Sequence, residues 1–553
     1  MQRAPRGSSQ AAGAARPAGA VNGHGAADSV MTAVSALEPL QRRAGDPTAG
    51  TGLQPGPDEG VDVLVAAIAA APQTTVREDT EEALHPTPQP RRGAVETALG
   101  YEVDVAARAA TAGVTGKAGE TLLVGPPSEK EGSLPAKLIF LGVGDESVQS
   151  MRRAGAALAR ATRGAHLIRA AVVDGLGPAA QQAFVEGFLL GGYTAPRRGK
   201  TPAGPPMARK MEVTGLDPEA LNIAEITARA VWLARDLTNL PPDVATPEWM
   251  AGQSRAVAAR AGLEVSVLDE AELLRRGFGG MLAVGSGSAH PPRMVQVSYR
   301  PESGDGQHVV LTGKGITFDS GGISLKPRDA MMAMKMDMAG AAVVLAAVEA
   351  AAELKLPYRV TAVLALAENA IGGSAYRPGD VVDTYNGTTV EIGNTDAEGR
   401  MVLADALAYA AAELAPDVLL DVATLTGAAA LGLGQQYGAL FANSEQLLAA
   451  MEKAGRTSGD RVWQLPLVHE YEYALESVTA DLAHVAPPAL KFGAGAIVAA
   501  LFLEKFVDGV PWAHIDIAGP MRAGSDSHEV SKGATGFGTR LLISYLRDAA
   551  KGS

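Results

Sequence analysis

Between residues 394 and 400 the chain reads Asn394-Thr395-Asp396-Ala397-Glu398-Gly399-Arg400, two carboxylates and a guanidinium at alternate positions ahead of a long apolar stretch. Extended or looped backbone projects residues i, i+2 and i+4 to one side, so Asp396, Glu398 and Arg400 are placed to share a pocket. Such a set holds metal near an anion, which points to hydrolysis. Gly399 lets the chain turn where a side chain would hinder it. A second cluster lies upstream: Lys314-Gly315-Ile316-Thr317-Phe318-Asp319-Ser320-Gly321-Gly322, then Lys326, then Asp337 within Met334-Lys335-Met336-Asp337-Met338. It follows a strand-like run ending at Thr312, and open α/β sheets bind ligands outside the carboxyl ends of their strands.

Each segment taken alone has a plainer explanation. A Gly-rich turn after a strand most often only connects, and this one lacks the G-x-x-x-x-G-K-[ST] spacing of a phosphate loop. Lys326, Lys335 and Asp337 singly would be solvated charges, and Asp396 with Glu398 would complement the dipole at a helix N-terminus. Ser320 as a nucleophile would call for a G-x-S-x-G elbow, which its surroundings lack.

Composition narrows the chemistry. Cysteine is absent from the 553 residues, which excludes disulfides, thiolate nucleophiles and Cys-ligated metals, so any metal is held by oxygen and nitrogen. A formal charge of -13 argues against a general polyanion-binding surface, and DNA binding is not expected. With 47% apolar and 20% charged residues there is enough apolar surface for buried cores, and the length favours two or three domains. Arg3 and Arg6 precede Ala, Gly, Ser and Pro rather than an apolar run, unlike a secretory signal, and no charge-free run of about 20 apolar residues stands out as a membrane span. The expectation is a soluble, cytoplasmic protein.

The elements that must position the clusters read as an α/β chain. Residues 1–57, rich in Ala, Gly, Pro and Ser, are expected to be a disordered tail, although a start placed upstream of the true one explains the composition equally well. Residues 58–200 form a smaller α/β domain, with strands at Val61 to Ala66 and Ala136 to Gly144 and helices at Ser147 to Ala161 and Ala179 to Leu190. Residues 201–238 are a linker and a connecting helix, the Pro-rich segment Arg197 to Pro206 leading into Asp217 as N-cap and Pro218 at the first helical position. Residues 239–553 form a larger α/β domain, with strands at Val309 to Thr312, Tyr358 to Leu366, Val418 to Val422 and His514 to Ile517 alternating with helices. That alternation argues for a mainly parallel sheet covered on both faces.

Taken together, Gly313 to Asp337 and Asn394 to Arg400 resemble the paired signatures of the leucyl aminopeptidase family, the cytosol aminopeptidases with a two-metal centre. The resemblance extends over Gly285-Ser286-Gly287-Ser288, Asp421-Val422-Ala423-Thr424-Leu425-Thr426-Gly427 and Gly533-Ala534-Thr535-Gly536-Phe537-Gly538. It implies that Lys314, Asp319, Asp337 and Glu398 hold one divalent ion and Asp319, Asp396 and Glu398 the other, Mn2+ first and Zn2+ as the alternative. Lys314 would then have to lose its proton, which desolvation and adjacent cations promote. The resemblance further implies that Lys326 stabilises the oxyanion and that Arg400 holds a bicarbonate ion as general base. Peptides are the implied substrates, with Leu and other apolar N-terminal residues preferred, and Met334, Asn394, Thr424, Leu425, Gly427 and Ala534 line the substrate site. Within that set the Leu425 N–H assists the oxyanion, and Ala534, where some members carry Met, implies a wider pocket. The family's N-terminal domain is macro-like and helps to build a homo-hexamer, and the match is looser over Val61 to Gly199.

Overall fold

The computed structural model describes residues 33–37, 61–70, 89–130, 132, 134–196, 204–302 and 306–550. The first sheet comprises β1 (Ala33–Leu37), β2 (Val63–Ala69), β3 (Gln89–Pro90), β4 (Thr121–Val124), β5 (Lys137–Gly144), β6 (Leu167–Ala171) and β7 (Lys210–Thr214), in the order β1-β7-β6-β2-β5-β4 with β3 on β2. Its middle is parallel and β4 closes one edge antiparallel. The central β2 is apolar and buried along nearly its whole length, the pattern of a parallel strand covered on both faces. Helices Val148–Ala161 and Pro178–Gly192 lie together on this sheet. They approach backbone to backbone because both carry glycine at the contact: a Cβ at Gly155 would sit 2.0 Å from Phe184 O, and one at Gly187 2.0 Å from Arg152 O.

The expected strands and helices of this domain are found to within a few residues. One finding departs from expectation: Ala33–Leu37, inside the stretch expected to be disordered, forms β1 and pairs in parallel with β7. Pairing with a strand so far along the chain leaves no local signal in the sequence. The rest of 1–57, and residues 197–203 of the expected linker, lie outside the described residues. The connecting helix runs Pro218–Asn239, and Asp217 caps it by accepting the Glu219 and Ala220 N–H groups at 2.7 and 3.1 Å.

The second sheet has eight strands: β8 (Glu264–Leu268), β9 (Arg293–Tyr299), β10 (His308–Asp319), β11 (Arg359–Asn369), β14 (Val418–Ala423), β15 (Gly438–Ala442), β16 (Val462–Gln464) and β18 (Trp512–Asp516), in the order β16-β15-β18-β14-β10-β11-β9-β8. The four expected strands are its centre, β18-β14-β10-β11, and run parallel. The flanks are mixed, since β9 meets β11, β8 meets β9 and β15 meets β18 antiparallel. Along β10 successive side chains enter opposite cores: Val309 and Leu311 pack with helices Pro218–Asn239, Ala339–Glu353 and Thr539–Ala549, whereas Val310 and Ile316 pack with Glu398–Leu414 and Gly495–Glu504. A small sheet of β12 (Val381–Asp383), β13 (Thr389–Glu391) and β17 (Leu482–Ala483), and the antiparallel pair β19 (Arg522–Ala523) and β20 (Gly533–Ala534), complete the strands.

One stretch, Arg328–Glu353, is long and apolar enough to cross a membrane by length and composition, but 72% of its apolar window is buried in the fold. It contains the core helix Ala339–Glu353, whose side chains pack against β10, β11 and β14.

The two domains are joined by buried polar contacts. Arg235 donates to Thr535 O at 2.8 Å, Leu190 O at 3.1 Å and Glu529 O at 2.9 Å, so one guanidinium ties three segments. Arg540, on the last helix, meets Asp460 at 2.6 Å, Glu529 at 3.3 Å and Glu186 at 3.4 Å, and Glu186 also pairs with Arg152 at 3.1 Å.

Candidate metal centre

The two sequence clusters meet at the carboxyl end of β10. Lys314 projects from within that strand and Asp319 ends it. Asp337 follows a short 3-10 turn, Met334–Met336, just before the core helix Ala339–Glu353. Asp396 sits in the loop before helix Glu398–Leu414, and Glu398 is the first residue of that helix. Oxygen atoms of Asp319, Asp396 and Glu398 all lie within 4.8 Å of one another. Lys314 Nζ is 2.9 Å from Asp337, 2.8 Å from Glu398 and 2.9 Å from the Thr424 carbonyl. Lys326 Nζ is 2.7 Å from Asp319 and 2.5 Å from Asp396.

Four carboxylates this close repel one another, and burial adds to the cost of ionising them. Burial first, and then the neighbouring carboxylates, push Asp319 up to about 6 and Asp337 well above the usual carboxylate range. Asp396 is also raised, chiefly by burial. Burial alone would lower both lysines, but the carboxylates outweigh it and hold Lys314 and Lys326 above the ordinary lysine value. Lys314 therefore becomes a metal ligand only if added positive charge reverses that balance.

The donor set fits divalent ions. Carboxylate oxygens suit hard or borderline cations, and two of these oxygens, Asp337 Oδ2 and Asp396 Oδ1, are buried beside an ammonium without forming a well-aligned hydrogen bond. Arg400 also fits an anion: it is buried, its Nη1 donates to His484 O at 2.6 Å and its Nε has no acceptor. Burial lowers the Arg400 guanidinium to about 10.

The heptapeptide straddles a loop and a helix, which corrects two expectations. Asp396 and Glu398 do converge, but Arg400 lies inside the helix, where two residues turn a side chain through about 200° rather than back to the same side. It points toward the β17 region, at His484. Gly399 is helical and does not serve a turn. A Cβ there would meet Lys314 Cε at 2.5 Å and Nζ at 2.7 Å, so the glycine gives the lysine room to reach the carboxylates. The turn expected at Gly321 and Gly322 is present, with φ of 85° and 63°. Ser320 Oγ accepts the Gly322 N–H at 3.1 Å, a role within that turn.

The remaining predicted residues are distributed as follows. Asn394 holds the loop, its side chain accepting the Asp396 N–H at 2.9 Å. Thr424 is buried and its hydroxyl donates to Asp337 at 2.6 Å, so it orients a carboxylate. The Leu425 N–H is engaged by Asp516 at 3.1 Å, contrary to the expectation that it serves an oxyanion. Met334 is half-buried, Gly427 is exposed at the start of helix Gly427–Leu433, and Ala534 is buried with its N–H on Asn239 Oδ1 at 3.0 Å. Lys335, read as solvated, donates to Asn239 O at 2.6 Å.

Several residues that no motif singled out support the centre. Asn369, at the end of β11, donates to Asp319 at 2.8 Å and to Thr395 O at 3.0 Å, tying both clusters together. Tyr376 donates to the same Thr395 carbonyl at 2.9 Å, and the Thr395 hydroxyl donates to Gly321 O at 2.7 Å. His484 is held to about 3 by burial and by Arg400, so it is neutral. Gly393 N–H and Glu391 O both lie 3.2 Å from its Nδ1 and Asn394 O lies 3.0 Å from its Nε2; a proton on Nε2 satisfies the Gly393 donor and the Asn394 acceptor together. The parallel register of β10 with β11 would have pointed to Asn369, which faces Asp319.

The cytosol aminopeptidase catalytic-domain model matches residues 232–543, and the N-terminal-domain model of the same family matches residues 94–198. A probable cytosol aminopeptidase of Roseiflexus castenholzii is 44% identical over 455 residues, spanning 78% of this chain and 91% of the relative. One of Syntrophotalea carbinolica is 41% identical over 472 residues, 82% of this chain and 92% of the relative. Among solved structures, the bottromycin maturation enzyme BotP in complex with Mn is similar at a TM-score of 0.75 and 36% identity, over 89% of this chain and 100% of that one.

Gly399→Ala should destabilise the protein by about 1–3 kcal/mol through overpacking, because the Lys314 side chain is buried and held by three acceptors. Chemical denaturation checks the stability, and calorimetric titration with Mn2+ should find weaker binding than wild type.

Proposed function

Because the chain belongs to the cytosol aminopeptidase family and is a metal-dependent aminopeptidase, we propose that it releases apolar N-terminal residues, Leu foremost, from peptides at the carboxylate cluster. The observation that carries this reading is the convergence of Asp319, Asp396 and Glu398 beside two buried lysines at the end of one parallel strand. Asp319 and Glu398 would be shared between two ions, Lys314 and Asp337 completing one set and Asp396 the other. When bound, two divalent ions supply Lewis acidity and lower the pKa of water, so a nucleophile is available near neutral pH. Mn2+ is the favoured ion and Zn2+ the alternative. The presence of Mn in the similar BotP structure supports that order.

The chain's own groups take the remaining roles. Lys326 stays protonated among its carboxylates and stabilises the oxyanion that develops on the scissile carbonyl, as a pre-positioned cation does. Arg400 holds a bicarbonate ion through its unmatched Nε–H, since a guanidinium matches a planar oxyanion in geometry and charge. A bicarbonate held there by Arg400 would supply the general base that a histidine usually provides. His484 does not compete for that role, because both of its ring nitrogens are already engaged. Met334, Asn394, Thr424, Gly427 and Ala534 line the substrate site, and Leu425 borders it without its N–H. The small side chain of Ala534 leaves room for more than Leu.

The working form is a cytoplasmic homo-hexamer. Ile323, Leu325, Met332 and Ile371, large, exposed and apolar in the segments around the metal cluster, give that face the character of an interaction surface.

Steady-state hydrolysis of Leu-p-nitroanilide by the Mn2+-loaded protein tests the reading. Lys326→Met should lower kcat by about 10²–10³-fold with little change in KM, the size of one oxyanion donor. Asp396→Asn should abolish turnover. Arg400→Gln should lower kcat and remove stimulation by added bicarbonate. Wild-type turnover that survives a chelator would overturn the reading.

A further inference from the structure

A polar cavity of about 340 Å³ lies at the seam between the two domains, behind the β19–β20 pair. Arg153 reaches its wall from helix Val148–Ala161 of the N-terminal domain, Arg461 from the turn before β16, and Arg522 from β19. Arg540 forms part of the wall, but its charge is matched by Asp460, Glu529 and Glu186. Among the described residues no carboxylate lies within ion-pair distance of Arg153, Arg461 or Arg522. The Arg461 guanidinium is held in place by the Tyr437 ring, 4.5 Å from its centroid, and by the Tyr437 hydroxyl at 3.2 Å. Its Nη2 also donates to Gln436 Oε1, at a long 3.5 Å that a charged oxygen would outcompete.

Apart from Arg540, whose charge is matched, the wall thus carries three arginines, Arg153, Arg461 and Arg522, with no carboxylate at ion-pair distance among the described residues, in a chain of formal charge -13. Gln149, Gln436 and Ser527 add neutral hydrogen-bonding groups. Guanidinium groups recognise phosphate oxygens bidentately, and the volume is at the small end of ligand cavities. None of the metal-centre residues lines this space. The two places are linked through one hairpin: Thr535 Oγ1 donates to Pro520 O on the cavity side, while Ala534 N–H bonds Asn239, whose carbonyl accepts Lys335, two residues before Asp337.

We propose that this interdomain cavity is a second ligand site, which binds a phosphate group, free or esterified to a small molecule, through Arg153, Arg461 and Arg522. Isothermal titration of the Mn2+-loaded protein with inorganic phosphate, and separately with adenosine monophosphate, tests it. The titrations are run at a constant ionic strength of about 0.15 M, where longer-range surface attraction is screened. At least one of the two probes should bind saturably at one site per chain, and the tighter one tells whether the group arrives free or esterified. The double variant R153Q/R522Q should weaken that binding by about ten-fold or more, roughly one charge-assisted contact. Arg275→Gln, an exposed arginine on another helix, should bind like wild type. Saturable binding by neither probe, or equal binding by R153Q/R522Q as phosphate held at the metal centre would give, overturns the proposal.

Discussion

Four carboxylates gathered at the end of one parallel strand, three of them with oxygens within 4.8 Å of one another and the fourth joined to them through Lys314, are the constraint around which the rest of this structure is arranged. Asp319, Asp337 and Glu398 are almost fully buried and Asp396 is partly so. Such a cluster is unstable without matching positive charge. Two lysines answer that need from opposite sides, Lys314 between Asp337 and Glu398 and Lys326 between Asp319 and Asp396. The same repulsion gives the cluster its affinity for divalent cations, because an ion relieves at once several groups that otherwise oppose each other.

Holding those groups so close requires rigid support, and the fold supplies it through parallel strands and helix starts. β10 delivers Lys314 and Asp319, β11 delivers Asn369 to brace Asp319, and β14 leads to Thr424, which braces Asp337. Glycine is used where backbones close on the site. A Cβ at Gly340 would meet Val422 O at 2.1 Å, so the core helix lies directly on β14, and Gly399 leaves space for the Lys314 side chain. Burial of both faces of the sheet then fixes the strands on which these side chains are mounted.

Much of this was legible in the sequence, and for a physical reason. The chemistry-bearing residues are short-range in the chain, Lys314 to Asp337 and Asn394 to Arg400, so their spacing is visible before any fold is known. The central strands were also legible, since buried parallel strands read as unbroken apolar runs. The mixed flanks of the sheet were not, because strand direction is decided by long-range pairing. Neither were Asn369, Tyr376, His484 and Asp516, which come from four separate segments and act through contacts that only the tertiary structure creates. The resemblance implies an anion at Arg400, and the direction of its side chain depends on where the helix begins. The loop's alternation, carried into the helix, puts it on the side of Asp396 and Glu398, whereas it faces His484.

Anomalous diffraction from crystals loaded with Mn2+ tests the central claim most directly. Two peaks per chain are expected, one bounded by Asp319, Asp396 and Glu398 and the other by Lys314, Asp319, Asp337 and Glu398. A single peak, or two peaks with Lys314 Nζ still paired to Asp337 and Glu398 and bound to neither ion, would contradict the account.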